Sequence, residues 1–82
     1  MDECFIGMVV LFAADWTPDG WLQCHGQTLN VAEYTSLYSL FATTFGGNGT
    51  TTFALPDLRS VAPTGMTYII CTDGPYPLRA GA

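Results

Sequence analysis

The sequence predicts an α+β fold: a single small domain in which one helix packs on a short antiparallel or mixed sheet, with long glycine-rich loops between the elements. Three observations carry this. Apolar runs rich in β-branched and aromatic residues lie near both ends, at 5–13 and 66–72. Only one segment, 34–45, repeats its apolar residues every third or fourth position, the period of a helix lying on a sheet. Between helix and second run lies Gly46-Gly47-Asn48-Gly49, which can take positive φ at several positions before a threonine run enters β structure. The 82 residues make one domain, with a core at about 5–77 and an extended or disordered tail at 78–82.

The first run, with Phe5, Ile6, Met8, Val10 and Phe12, reads as a strand with little alternation, hence buried on both faces. Either it is a central strand of the domain's own sheet, or a neighbouring subunit covers it. Next comes a turn at 15–20. Pro18 presets φ and Asp19-Gly20 supplies its exit, while Trp16 and Trp21 flank it. Two indoles so placed anchor a loop on the core or, exposed, form a stacking platform for sugars. A second turn follows at Cys24-His25-Gly26-Gln27, with Gly26 at positive φ and Gln27 able to bond loop backbone through both ends of its amide.

Asn30-Val31-Ala32-Glu33 has the form of a capping box and starts the helix. Val31, Tyr34, Leu37, Tyr38, Leu40, Phe41 and Phe45 form its apolar face, and Gly46 ends it as a left-handed cap. Gly47 and Gly49 then turn the chain, and Pro56 places the following segment at an edge or bend. Asp57 and Arg59 are structural: Asp57 shares a face with Arg59, or caps the turn after Pro56 and leaves Arg59 for loop carbonyls or a neighbour's carboxylate. The closing strand, with Tyr68 and Ile70, is expected beside the first run, and Pro75 and Pro77 stop it.

Composition narrows the function. Charged residues make up 11% of the chain, less than half of what soluble domains carry, while 49% are hydrophobic and no lysine is present. Such a chain lacks the charge to cover its own outside, which predicts self-association. A net charge of −5 with Arg59 and Arg79 as the only Lys or Arg residues excludes a phosphate-binding face, so no nucleic-acid partner is expected. Membrane insertion is not expected either: the longest apolar run, 8–14, is far shorter than a span, and it follows Asp2 and Glu3 instead of the basic residues of a Sec-type leader.

Catalytic chemistry is thin. His25 is the single histidine, and a Cys24-His25 neighbour pair is not a dyad, because adjacent side chains point apart. Neither a metal nor a cofactor is expected, since no CxxC or HxxxH spacing occurs and only a three-fold axis could gather copies of His25. The glycine loop follows a helix and has no lysine, so it is not a phosphate cradle. The three cysteines read as buried reduced thiols. Cys24 and Cys71 lie in segments that could meet, and Cys4 could bridge to another copy in an extracellular assembly.

The stretch from Trp16 to Leu29, the helix, and the run Thr50-Thr51-Thr52-Phe53-Ala54-Leu55-Pro56-Asp57-Leu58-Arg59 behind its glycine loop together resemble the phage tail-collar domain family, which includes short-tail-fibre proteins and bacterial microcystin-dependent proteins. That family's pattern is a Trp, a Cys-Asp-Gly-Gln turn, a Leu- and Tyr-rich helix, a Gly-Gly-Asp-Gly loop and Thr-Phe-Leu-Pro-Asp-Leu-Arg-Gly-Arg. The resemblance covers about 5–60, and 68–77 resembles the strand and turn that end longer members. His25 stands where Asp is usual, Ser60-Val61 replaces Gly-Arg, and the long His-bearing region before the final strand is missing.

The resemblance implies a non-enzymatic structural subunit of a fibre that is extracellular or part of a virion tail. Its partner would be itself, as a trimer or filament, through Phe5, Ile6, Met8, Val10, Phe12, Tyr68 and Ile70. A trimeric receptor-binding module, with loops 17–20 and 46–52 facing a cell-surface glycan or other receptor, is the second expectation.

Overall fold

A computed structural model describes residues 4–14 and 16–77, so the expected 78–82 tail and Asp15 of the first turn lie outside the described residues. Five strands and one helix follow in the order β1 (Val9–Phe12), β2 (Trp21–Gln23), β3 (Thr28–Asn30), α1 (Thr35–Phe41), β4 (Thr52–Ala54) and β5 (Thr67–Cys71), with a 3-10 turn at Arg59–Val61. The sheets are antiparallel. One has three strands in the order β1-β5-β2, and the other pairs β3 with β4.

The centre of the molecule is β5. Its alternation sends Ile70 towards a core of Cys24, Leu37, Phe53 and Leu55, and Ile69 and Cys71 towards a second cluster with Cys4 and Trp21. Pleating alone explains why one five-residue strand serves two cores. It also explains the cysteines. Cys24 and Cys71 lie in different clusters, so they do not pair; Cys71 is instead joined by a disulfide to Cys4, with the Cα atoms 6.2 Å apart, and Cys24 remains a buried thiol. The expectation of three reduced thiols is thereby corrected: the N-terminal segment runs back along the exit of β5 and brings Cys4 to it.

The first strand is shorter than its apolar run. Met8 N donates to Phe5 O at 3.0 Å, closing a turn with Gly7 at φ 89°. Gly7 and Met8 then both oppose Cys71: Gly7 N donates to Cys71 O and Cys71 N to Met8 O, each at 2.9 Å. This is a one-residue bulge led by a glycine in the left-handed region. Regular pairing therefore begins at Val9, opposite Ile70. β1 is an edge strand with alternating exposure, not a strand buried on both faces of its own domain; β5 holds the central position.

The helix is shorter than its apolar period. Asn30 Nδ2 donates to Glu33 Oε1 (2.7 Å), so the two side chains satisfy each other and no side chain caps the first turn of α1. At the other end Ala42, at φ 48°, is the cap, and Thr44 Oγ1 donates to Phe41 O at 2.6 Å. The change of backbone at Ala42 ends the helix before Gly46, which lies in the loop at φ 132° and is not its cap. Phe41 still packs on Phe53, ring centroids 5.7 Å apart, while Phe45 is exposed.

Candidate functional site

Three local constructions occupy the positions singled out by sequence. The first is the turn pair at 24–27 and 56–59. Gln27 Oε1 accepts from His25 N (3.1 Å) and its Nε2 donates to Gln23 O (2.7 Å). Gly26, at φ 76°, donates its N–H to the carbonyl of buried Pro56, and His25 forms an isolated bridge with Asp57. Asp57 Oδ1 accepts from Arg59 N at 3.2 Å and from Arg59 Nε at 2.9 Å, while Oδ2 takes Arg59 Nη2 at 2.7 Å. Asp57 thus caps the turn after Pro56 and holds Arg59 as well, so Arg59 is not left to loop carbonyls. Hydrogen bonds from the Arg59 side chain, and then from its backbone, pull the Asp57 carboxyl from 3.8 down to about 2.

Beside this pair lies a small pocket of about 180 Å³ that includes Cys24, His25, Arg59, Met66 and Tyr68 in its wall. Burial pushes the Cys24 thiol from 9.0 up to about 11, so thiolate is scarce at neutral pH. Among the described residues no group of three His, Cys, Asp or Glu side chains could hold a metal ion.

The second construction is the glycine loop. Asn48 Oδ1 accepts from the backbone N–H groups of Thr50, Thr51 and Thr52 at 2.8, 2.9 and 3.1 Å. One side chain therefore organises the entry to β4. Gly47, at φ 101°, sits so close to β4 that a Cβ there would lie 2.7 Å from Thr52 O. Tyr38 ties helix to loop, its hydroxyl donating to Gly49 O at 3.0 Å. Sequence reasoning took Asn48 for a conformational residue only; its spacing ahead of three consecutive threonines was the readable sign of an Asx-type turn.

The third is the N-terminal edge. Phe5 is 50% exposed, Met8 is exposed, and Ile6 is half-buried; with Leu40, Phe41 and Pro77 they line an open apolar groove. Val10 and Phe12 are half-buried on the second cluster. Tyr68 is half-buried against the first, and Ile70, at 2% exposure, presents no surface to a neighbour. Val9 and Leu11, not singled out as contacts by sequence, are exposed on β1. The two indoles part company: Trp21 is buried, whereas Trp16 is 61% exposed and stands edge-on to Phe12, centroids 5.2 Å apart.

These features define a small α+β domain whose polar clusters fasten loops to sheets and whose N-terminal side leaves an apolar groove uncovered. The model of the Phage Tail Collar Domain matches residues 7–63 of the 82. The chain belongs to the phage tail collar domain family, a family of structural components of phage tail fibres. A search of the curated proteins finds no match. No helix among the described residues is long and apolar enough to cross a membrane.

Proposed function

We propose that the chain is a non-enzymatic subunit of a self-assembling fibre, on a virion tail or a related extracellular filament, with the 5–12 segment making the subunit contacts. The observation that carries this is the N-terminal groove: Phe5, Met8 and Leu40 leave it uncovered in a chain with 11% charged residues. Apolar side chains collected at one place, not scattered singly, mark an association surface. Light scattering with negative-stain electron microscopy tests it. Elongated assemblies are expected, and small discrete particles under all conditions would overturn the fibre.

A second reading, a trimeric receptor-binding module, is favoured by Trp16, whose exposed ring is held by Phe12 beside the 17–20 turn. It requires a discrete trimer and glycan binding that is lost in Trp16→Ala.

A further inference from the structure

The three-stranded sheet has two edges, and they are treated differently. On the β2 side, Gln23 O points outward and receives the Gln27 amide, so the protein's own side chain occupies that edge. On the β1 side nothing comparable occurs among the described residues. Cys71 N bonds Met8 O, and β1 is in register Val9↔Ile70, Val10↔Ile69, Leu11↔Tyr68. In an antiparallel ladder the bonded pairs alternate, so Val10 and Phe12 face β5 with their N–H and C=O groups, while those of Val9 and Leu11 point away from it. The β5 side agrees, since Tyr68 O accepts from Cys24 N and thus turns towards β2. Among the described residues no backbone group meets the outward groups of Val9 and Leu11.

Folded proteins blunt such an edge with charge, proline, a bulge or a cover. Here the bulge at Gly7 and Met8 guards only the entrance, and Val9–Phe12 contains neither charge nor proline. We propose that β1 is a pairing strand for β1 of a second copy, antiparallel about a two-fold axis through Val10, joining two sheets into one. This rests on the self-association reading and gives it a geometry. Val9 of each copy lies opposite Leu11 of the other, and the pair exchanges N–H···O bonds in both directions. A copy of the same chain is the occupant because the strand is self-complementary in this register. Charge argues likewise: two chains of net charge −5 repel, and the stretch from 4 to 14 has no ionisable side chain except the disulfide-bonded Cys4, which lets them meet.

The register makes the test sharp. Val10 meets Val10 as a non-bonded pair, where Cα atoms stand about 4.5 Å apart, within disulfide range. Val10→Cys should therefore cross-link two copies under mild oxidation, and Trp16→Cys, away from the axis, should not. Val9→Pro removes an N–H that β5 does not use, so the variant should fold yet run as an 8.8 kDa monomer by light scattering. Should its near-UV circular dichroism show unfolding, Leu11→Lys takes its place, putting charge on the same edge.

Assembly unchanged in both edge variants, a trimer, or no cross-link at Val10 overturns the pairing and leaves self-association standing. A wild-type monomer at micromolar concentration, as expected if residues 78–82 or a foreign strand occupied the edge, overturns both. A cross-linked dimer that grows no further supports the pairing and sinks the fibre.

Discussion

Replacing Cys4 with alanine removes the disulfide while leaving the small buried cluster around Cys71 and Trp21 nearly intact, since Cys4 lies at the margin of that cluster. The two cysteines are 67 residues apart in an 82-residue chain, so the bond closes most of the polypeptide into one loop. Chain-entropy reasoning assigns such a loop about 4 kcal/mol, acting mainly by restricting the unfolded state. A domain of this length has roughly 4–12 kcal/mol in total. Losing the bond therefore leaves a narrow margin.

The assay is urea unfolding followed by tryptophan fluorescence, which reports Trp21 leaving its buried site, on oxidised wild type and on Cys4→Ala. With a slope near 1.3 kcal/mol/M, the expected midpoint falls by roughly 3 M. Thiol reductant should shift wild type by the same amount and leave Cys4→Ala unmoved. Stabilities that coincide within about 1 kcal/mol would refute the loop argument. So would an intact-mass measurement finding three free thiols in wild type.

Three further outcomes follow from the loops and the buried thiol. Gly47→Ala, whose Cβ would press on Thr52 O and Phe53 N (2.7 and 2.8 Å) at φ 101°, should cost more than about 3 kcal/mol by urea midpoint. Gly65→Ala, at φ 82° with open space around it, should cost only about 1–2; equal costs would refute the close-approach argument. Cys24 should resist iodoacetamide at pH 8 in the native state and react in urea, because burial holds its thiol at about 11; labelling of native protein would refute this. For Asp57 the folded carboxyl is depressed, so its stabilisation is present above the unfolded value of 3.8 and is lost as pH falls through about 2. A carboxyl chemical-shift midpoint near 4 would show that Arg59 does not hold it.

What sequence could show was set by the range of each signal. The α+β class, the helix, the Gly26 turn and the approach of β5 to the N-terminal run rest on local pattern or on the pairing of obvious apolar strands. Boundaries failed where a single residue redirected the backbone. Ala42 took φ 48° inside an apolar period that runs on to Phe45, and Gly7 put a turn into a run that composition reads as continuous strand. The Cys4–Cys71 bond was hidden for a different reason. Choosing between Cys4 and Cys24 as the partner of Cys71 requires knowing which face of β5 each occupies, and residue parity selects a face only once both register and bulge are known.

The same parity decides what the N-terminal edge can do. Without the extra residue at Gly7, Met8 would still lie opposite Cys71, so Val9–Phe12 would keep their register, and the segment before the bulge would shift by one. There the side chains would exchange faces, and Cys4 would leave Cys71 and the Trp21 cluster. The bulge therefore sets how the N-terminal segment meets the core, while pairing with β5 sets the free edge. A deletion of Gly7 should then cost stability and the Cys4–Cys71 bond, yet leave cross-linking through Val10→Cys in the folded fraction. If the register of β1 were set from the N-terminal side, the deletion would shift Val10 and abolish that cross-linking. Yield per folded molecule, read by non-reducing gel against near-UV circular dichroism, separates the two.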